Sequence, residues 1–179
     1  MIKNTKDGYG IISRLFHWLL TFMIMTMIFV GFYMANMESS EKQIEIIGMH
    51  KATGLFVLFL VTLRVLWRFA NIQPELPKTM SWFLVRIANA NISLLYILTL
   101  AMPLSGMFAS LIGGRDISFY GIFKISAFAE NHEVSSVFMG AHIVMAYILS
   151  ATILLHIAAS FYHHFIAKDN ILRRMIIGN

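Results

Sequence analysis

Histidine is the residue type in this 179-residue chain with the most chemistry to offer: there are seven, and there is no cysteine. Without a thiol, no disulfide, iron–sulfur cluster or thiolate-bound metal can form, so a metal would have to sit on histidine, carboxylate or methionine. Four of the seven, His17, His50, His142 and His156, fall in apolar stretches where an ionisable ring is costly unless it has a partner. His142 and His156 are 14 residues apart. On one helix that is close to four turns, about 40° apart around the axis and about 21 Å apart along it. One helix would thus present two imidazoles on one face, near its opposite ends.

The elements that must carry these rings are set by composition. Hydrophobic residues make up 58% of the chain and charged residues 13%, with a mean hydropathy of +0.71, where a soluble domain has about 25% charged residues. A water-soluble fold could not bury so much apolar surface, so the solvent for most of the chain is lipid. No charge occurs between Arg14 and Glu38, and this run is too long for the core of a signal peptide and lacks a small-residue cleavage site. Four spans are expected, at roughly 15–37, 47–67, 87–112 and 134–167. The second has only a short charge-free core, and Lys51, Arg64 and Arg68 reach from its ends to the membrane surfaces. Pro103 and Gly106 interrupt the third and predict a bend, and Gly113-Gly114 opens the longest loop. The expectation is one all-α integral membrane domain over 1–179, a four-transmembrane-helix bundle.

Charge orients the bundle. The N-terminus, the 64–86 connection and the C-terminus carry ten Lys or Arg against Asp7, Glu75 and Asp169, a net of +7. The other side carries Lys42, Lys51, Arg115 and Lys124 against six acids, a net of −2. By the positive-inside rule both termini are cytoplasmic and the longest loop is outside. The basic residues thus mark topology, and no basic stretch interleaved with aromatics suggests nucleic acid. With the spans alternating, His17 and His156 share the inner level and His50 and His142 the outer level.

Two imidazoles facing each other across a bundle interior can clamp a six-coordinate haem iron, and neutral nitrogen ligands need no charge to be buried. With both axial positions filled, such a haem favours electron transfer over oxygen binding. Gly48, Gly54, Gly140, Ala141, Ala158 and Ala159 beside the ligands would let a flat macrocycle approach the helices, or would serve ordinary helix packing. Taken singly, each histidine is equally accounted for by a hydrogen bond to a neighbouring helix carbonyl. Two pairs about 21 Å apart cannot make one tetrahedral copper or zinc site. The chain has no H-E-x-x-H, no Ser/His/Asp arrangement at credible depth and no glycine-rich phosphate loop. The 13 methionines recur in apolar helices as packing or lipid-facing residues.

Several segments resemble the bacterial cytochrome b561 family, related to the b-type cytochrome subunits of membrane hydrogenases. They are Ser13-Arg14-Leu15-Phe16-His17-Trp18, Met49-His50-Lys51-Ala52-Thr53-Gly54, Arg64-Val65-Leu66-Trp67-Arg68, Met102-Pro103-Leu104-Ser105-Gly106, and His156 followed by His163-His164-Phe165. The closing Lys168-Asp169-Asn170-Ile171-Leu172-Arg173-Arg174-Met175 is similar to that family too. The resemblance implies two haems b, on His17 with His156 and on His50 with His142, and exchange of electrons with ubiquinone in the inner membrane. It also offers superoxide as an outer substrate, although the 114–121 loop looks closer to a different branch from the superoxide-oxidising one.

Around the expected haems, Arg14, Arg64 and Arg68 inside and Lys51 and Arg115 outside could pair with propionates, or could only mark topology. His163, two turns past His156, could hydrogen-bond a quinone head or a propionate, or sit as a polar residue at the lipid interface. His132 is expected in the outer loop, away from both haems. Three functions remain open: a stand-alone quinone-linked electron carrier with a periplasmic redox partner, an anchor and relay subunit for a separate dehydrogenase or periplasmic partner, and a cofactor-free bundle that handles a metal or small ligand.

Overall fold

The computed structural model describes residues 1–77 and 79–178; Lys78, one of the ten cations counted above, and Asn179 lie outside the described residues. The helices are α1 (Ile11–Ala35), α2 (Glu41–Phe69), α3 (Trp82–Ile112) and α4 (His132–Phe161). A two-stranded antiparallel hairpin, β1 (Ile117–Phe119) and β2 (Phe123–Ile125), joins α3 to α4. After α4 come a π-helical turn, Tyr162–Ala167, and the short α5 (Ile171–Ile176). The four long helices all have the length and apolarity to cross a membrane.

Polar caps set the helix starts. Ser40, Ser81 and Asn131 each accept a hydrogen bond from the backbone N–H three residues on, which is why α2 and α3 begin before their apolar cores. The Asn131 cap also puts His132 at the head of α4 rather than in the loop. At the other end of the first turn, the Gln43 amide donates to the Met34 and Met37 carbonyls and so closes α1.

Within the spans, hydroxyls bond back onto their own helices: Thr26 to the Phe22 carbonyl, Thr62 to Leu58, Thr152 to Ile148. Each polar group is satisfied locally, so it costs little in lipid. The outward faces are apolar: Phe22 is 74% exposed and Phe29 70%. In water that would be an aggregation hazard; in a bilayer it is solvation.

Helix α1 packs on α2, α2 on α3 and α3 on α4. A core of Leu20, Val57 and Val61, flanked by Phe16, Met23 and Leu100, fills the space between the first three. Helices α1 and α4 meet through side chains such as Phe32 and Tyr147, whose rings lie 5.2 Å apart.

Both termini lie at one end of the bundle, here the terminal end, and the hairpin lies at the other. At the terminal end Asn4 is a buried hub: its amide donates to the Ile72 carbonyl and its oxygen accepts from Gly10 N–H and the Ser13 hydroxyl. The first residues fold back over Gly10, where a Cβ would stand 2.2 Å from the Ile2 carbonyl oxygen, so only glycine fits.

Candidate cofactor site

Two histidine pairs face each other across the bundle. His17 of α1 and His156 of α4 have ring centroids 6.3 Å apart; His50 of α2 and His142 of α4 have theirs 6.4 Å apart. The first pair is at the terminal end and the second at the hairpin end. Because His142 and His156 share α4, one helix aims a ring into each half of the interior.

The hairpin-end pair opens on a cavity of about 780 Å³, within the roughly 300–1,000 Å³ typical of small-molecule and cofactor sites. His50 and His142 line it together with Gly48, Gly54 and Gly106. His142 lies against Gly106: a Cβ there would stand 3.0 Å from its Cε1. The ring's Nδ1 is 2.8 Å from the Met102 carbonyl and 3.1 Å from the Ser105 hydroxyl. An Nδ1–H donated to that carbonyl leaves Nε2 free, the arrangement by which proteins fix metal-binding imidazoles. His50 differs: its Nδ1 is buried and has no hydrogen-bond partner among the described residues. In lipid an orphaned ring nitrogen is expensive, so the pocket is incomplete as protein alone.

Charge points the same way. Lys51 and Arg115 line the cavity together with Glu45 and Asp116, and among the described residues neither cation has a carboxylate in ion-pair range. The nearby Asp116 is committed elsewhere, accepting from Ala127 N–H at 2.8 Å and pairing with Lys124 at 2.9 Å. The Ala127 amide and then the Lys124 ammonium hold its carboxyl below the usual carboxylate range. Two cations in the cavity lining that are not ion-paired suit a ligand carrying acidic groups.

The hairpin forms one wall. Ile117 is buried, and Tyr120, in a left-handed conformation at φ 50°, places its hydroxyl 2.7 Å from that of Thr53 on α2.

At the terminal end Arg64 donates to His17 Nδ1 at 3.1 Å and stacks over Tyr96, as does Arg68. Tyr9 lies beneath them; burial pushes its phenol up, against the lowering pull of Arg68. Arg14 donates to the Ile176 carbonyl and Trp18 to the Met175 carbonyl, so α5 is drawn over this end. Trp67 donates to Ser13, joining two of the segments singled out in the sequence.

The structure therefore brings together His17 with His156 and His50 with His142, sets Lys51 and Arg115 at the second pair, and sets Arg64 at the first. Arg14 reaches the chain's last turn, and His163 faces Asp169. The Met102 carbonyl, Ser105 and Gly106 around His142 were not legible as a cradle, although the Pro103 interruption marked the place. Asp169 was missed as a partner of His163 because six residues is not a helical spacing.

A membrane-embedded four-helix bundle that turns pairs of imidazoles into its interior has the ligand set of a b-type cytochrome. The comparison with known proteins agrees. Residues 8–178 match the family model for prokaryotic cytochrome b561, and the chain belongs to that family of haem-binding, electron-carrying membrane proteins. It is 31% identical to cytochrome b561 homolog 2 of Escherichia coli over 97% of this chain and 93% of that protein. It is 30% identical to homolog 1 of the same organism, over 89% and 92%. A third relative, the probable superoxide oxidase CybB of Yersinia pestis, is 26% identical over 71% and 72%.

Proposed function

We propose that the chain binds two haems b, one on His17 with His156 and one on His50 with His142, and moves electrons between a quinone pool and a redox partner at the periplasmic face. The observation that carries this reading is the ring spacing. An iron bonded at about 2 Å to one nitrogen of each ring, with about 1.1 Å from nitrogen to ring centre, separates the centroids by about 6 Å, against 6.3 and 6.4 Å here. Direct packing of two imidazoles would not need the same gap twice.

The residues present suit the group. The His50 Nδ1 without a partner among the described residues and the Gly106 cradle would suit a haem at this pair, and Lys51 and Arg115 would serve its acidic groups. Arg64 would serve the corresponding role at the terminal end, with Arg14 behind it. Haem b supplies reversible one-electron transfer when bound. The protein's part is to hold the rings, exclude water and neutralise the propionates.

The orientation belongs to the same reading: bacterial inner membrane, both termini cytoplasmic, the hairpin periplasmic, as the charge asymmetry supports. Ubiquinone is the expected quinone. Superoxide enters as a possible donor through the Yersinia relative. A second reading, an anchor and relay subunit for a separate dehydrogenase, places the same haems in a complex.

A reduced-minus-oxidised spectrum, with haem counted against protein, tests the core of this. Two b-type haems per chain are expected. A pure protein with no b-type band would end the reading, and one haem per chain would remove one of the pairs. Co-purification of a stoichiometric dehydrogenase from native membranes would favour the second reading.

A further inference from the structure

The hairpin between α3 and α4 is polar at its base and apolar at its tip. At the base, Asp116 pairs with Lys124 and accepts from Ala127 N–H. At the tip, Tyr120 is exposed, Ile122 is 77% exposed and Phe123 51%. In water, large apolar side chains at the end of a projecting hairpin would be an aggregation hazard. Turns of this kind usually place Asn, Asp or Gly where φ is positive. Here Gly121 holds one such position, at φ 78°, but Tyr120 holds the other, at φ 50°. A bulky side chain in that region is uncommon, so something outside the turn must hold it.

Depth accounts for both features. Strand β1 packs on α2, and the Tyr120 hydroxyl lies 2.7 Å from that of Thr53. No charge occurs between Lys51 and Arg64, so Thr53 belongs to the part of α2 that lies in hydrocarbon. It is six residues past the expected start of that span at 47, about 9 Å along the axis. Met49 and Phe56, four residues before it and three after, share its face of the helix, and both are exposed. The hairpin thus turns back toward the bilayer, and its tip meets α2 on a face that the helix presents to lipid.

The backbone of the tip suits the same surroundings. Ile122 N–H donates to the Phe119 carbonyl at 2.9 Å, and Gly121 N–H to the Ser118 hydroxyl at 3.3 Å. Donors closed within the turn need no water, which is the condition for backbone to enter an apolar medium. The Phe119 and Phe123 rings stack with centroids 4.8 Å apart, so the apolar surface runs on from the strands into the turn.

We propose that the hairpin tip, Tyr120 to Phe123, is seated in the bilayer interface beside α2, with lipid acyl chains as the partner of Ile122 and Phe123. The Tyr120 ring then lies at the level where amphipathic aromatics collect, its hydroxyl on Thr53, while Asp116 and Lys124 stay in water. Either membrane face would serve, because acyl chains line both. Ile117, Ser118, Tyr120 and Gly121 line the hairpin-end cavity. The membrane itself therefore holds one wall of the candidate cofactor site in place.

The test uses the full-length protein in phosphatidylcholine vesicles. The chain has no cysteine, so each single-cysteine variant carries one nitroxide label: Ile122→Cys at the tip, Ala129→Cys in the loop beyond the hairpin, and Phe56→Cys on the outward face of α2. Spin relaxation is measured with oxygen, which concentrates among acyl chains, and with a water-soluble nickel chelate. At Ile122 oxygen should outweigh nickel, as at Phe56, and at Ala129 nickel should outweigh oxygen. In a label at Phe123→Cys, the further change Ile122→Asp should raise nickel accessibility severalfold, because a charge at the tip lifts it toward water. An Ile122 label that behaves like the one at Ala129 would overturn the proposal, since the tip would stand in water. Low accessibility to both reagents would overturn it as well, because a second copy or another protein would then cover the tip. Unchanged nickel accessibility at Phe123 in the Ile122→Asp background would equally count against seating in lipid.

Discussion

His142 and Met102 sit on different helices, α4 and α3, yet the ring's Nδ1 lies 2.8 Å from the Met102 carbonyl oxygen. That carbonyl belongs to the residue before Pro103, and it also accepts from the Ser105 hydroxyl at 2.7 Å. A backbone group in the middle of a membrane helix is thereby placed to accept from an Nδ1–H tautomer, which leaves Nε2 as the free nitrogen. Among the described residues His17 Nδ1 has no such carbonyl and instead accepts from the Arg64 guanidinium, a contact that a metal on Nε2 would displace, because the ring proton would then sit on Nδ1. The two pairs are alike in spacing and different in support, and this difference shapes what substitutions should do.

Loss of haem should follow the ring pairs rather than the helices. His17→Ala and His156→Ala should each remove one and the same haem signal, and His50→Ala and His142→Ala the other. Low-temperature spectra that resolve the two bands check this. Loss of the same band from His17→Ala and His50→Ala would mean the pairing is wrong. His132→Ala, at the head of α4 and outside the cavity, should retain both bands.

Gly106 is the tight point of the hairpin-end site. A Cβ there meets His142 Cε1 at 3.0 Å and Nδ1 at 3.1 Å. Pushing the ring off its rotamer costs about 1 kcal/mol, so Gly106→Ala should weaken haem binding at this end about fivefold. Gly106→Leu should abolish it while sparing the His17–His156 band. Haem titration of the apoprotein reads both, and equal weakening of the two bands would point to general misfolding instead.

Acid should loosen the hairpin before the bundle. The Ala127 amide and Lys124 depress the Asp116 carboxyl, and a depressed carboxylate contributes stability that is present above its unfolded value and is lost as pH falls through its folded value. Protection of the Ala127 amide from exchange, corrected for intrinsic rates, should therefore drop below the ordinary carboxylate range. Asp116→Asn should show weaker protection at neutral pH, because it keeps an acceptor but loses the Lys124 pair. Protection independent of pH in the wild type would contradict this account.

The proposed topology rests on the charge asymmetry of +7 against −2. Reporter fusions at Glu130 and at the C-terminus should report opposite compartments, the former periplasmic. Equal reporting from both ends would sink the proposed orientation.

Superoxide is expected to rank below a protein or quinol as electron donor. An anion is steered by a positive funnel, but the hairpin end sums to −2. Its cavity-lining cations, Lys51 and Arg115, would moreover be neutralised by propionates. Superoxide added to the oxidised, quinone-loaded protein should give no haem reduction faster than spontaneous dismutation. Rapid reduction, slowed strongly by salt and by Arg115→Glu, would reverse the ranking.

What the sequence determined by itself is what local rules encode. Apolar runs long enough to cross a bilayer specified four helices, because lipid admits few other ways to satisfy a backbone. The 14-residue interval from His142 to His156 put two rings on one face of one helix, because the helical period is fixed. Alternation of the spans then matched His17 in depth with His156, and His50 with His142.

Tertiary structure decided what depends on residues far apart in the chain meeting in space. The Met102 carbonyl is 40 residues from His142, Tyr120 is 67 from the Thr53 it bonds, and Asn4 is 68 from Ile72. No periodicity marks such separations. Even the close pair of His163 and Asp169 was hidden, because an α-helix would hold them apart and only the π turn lets them touch.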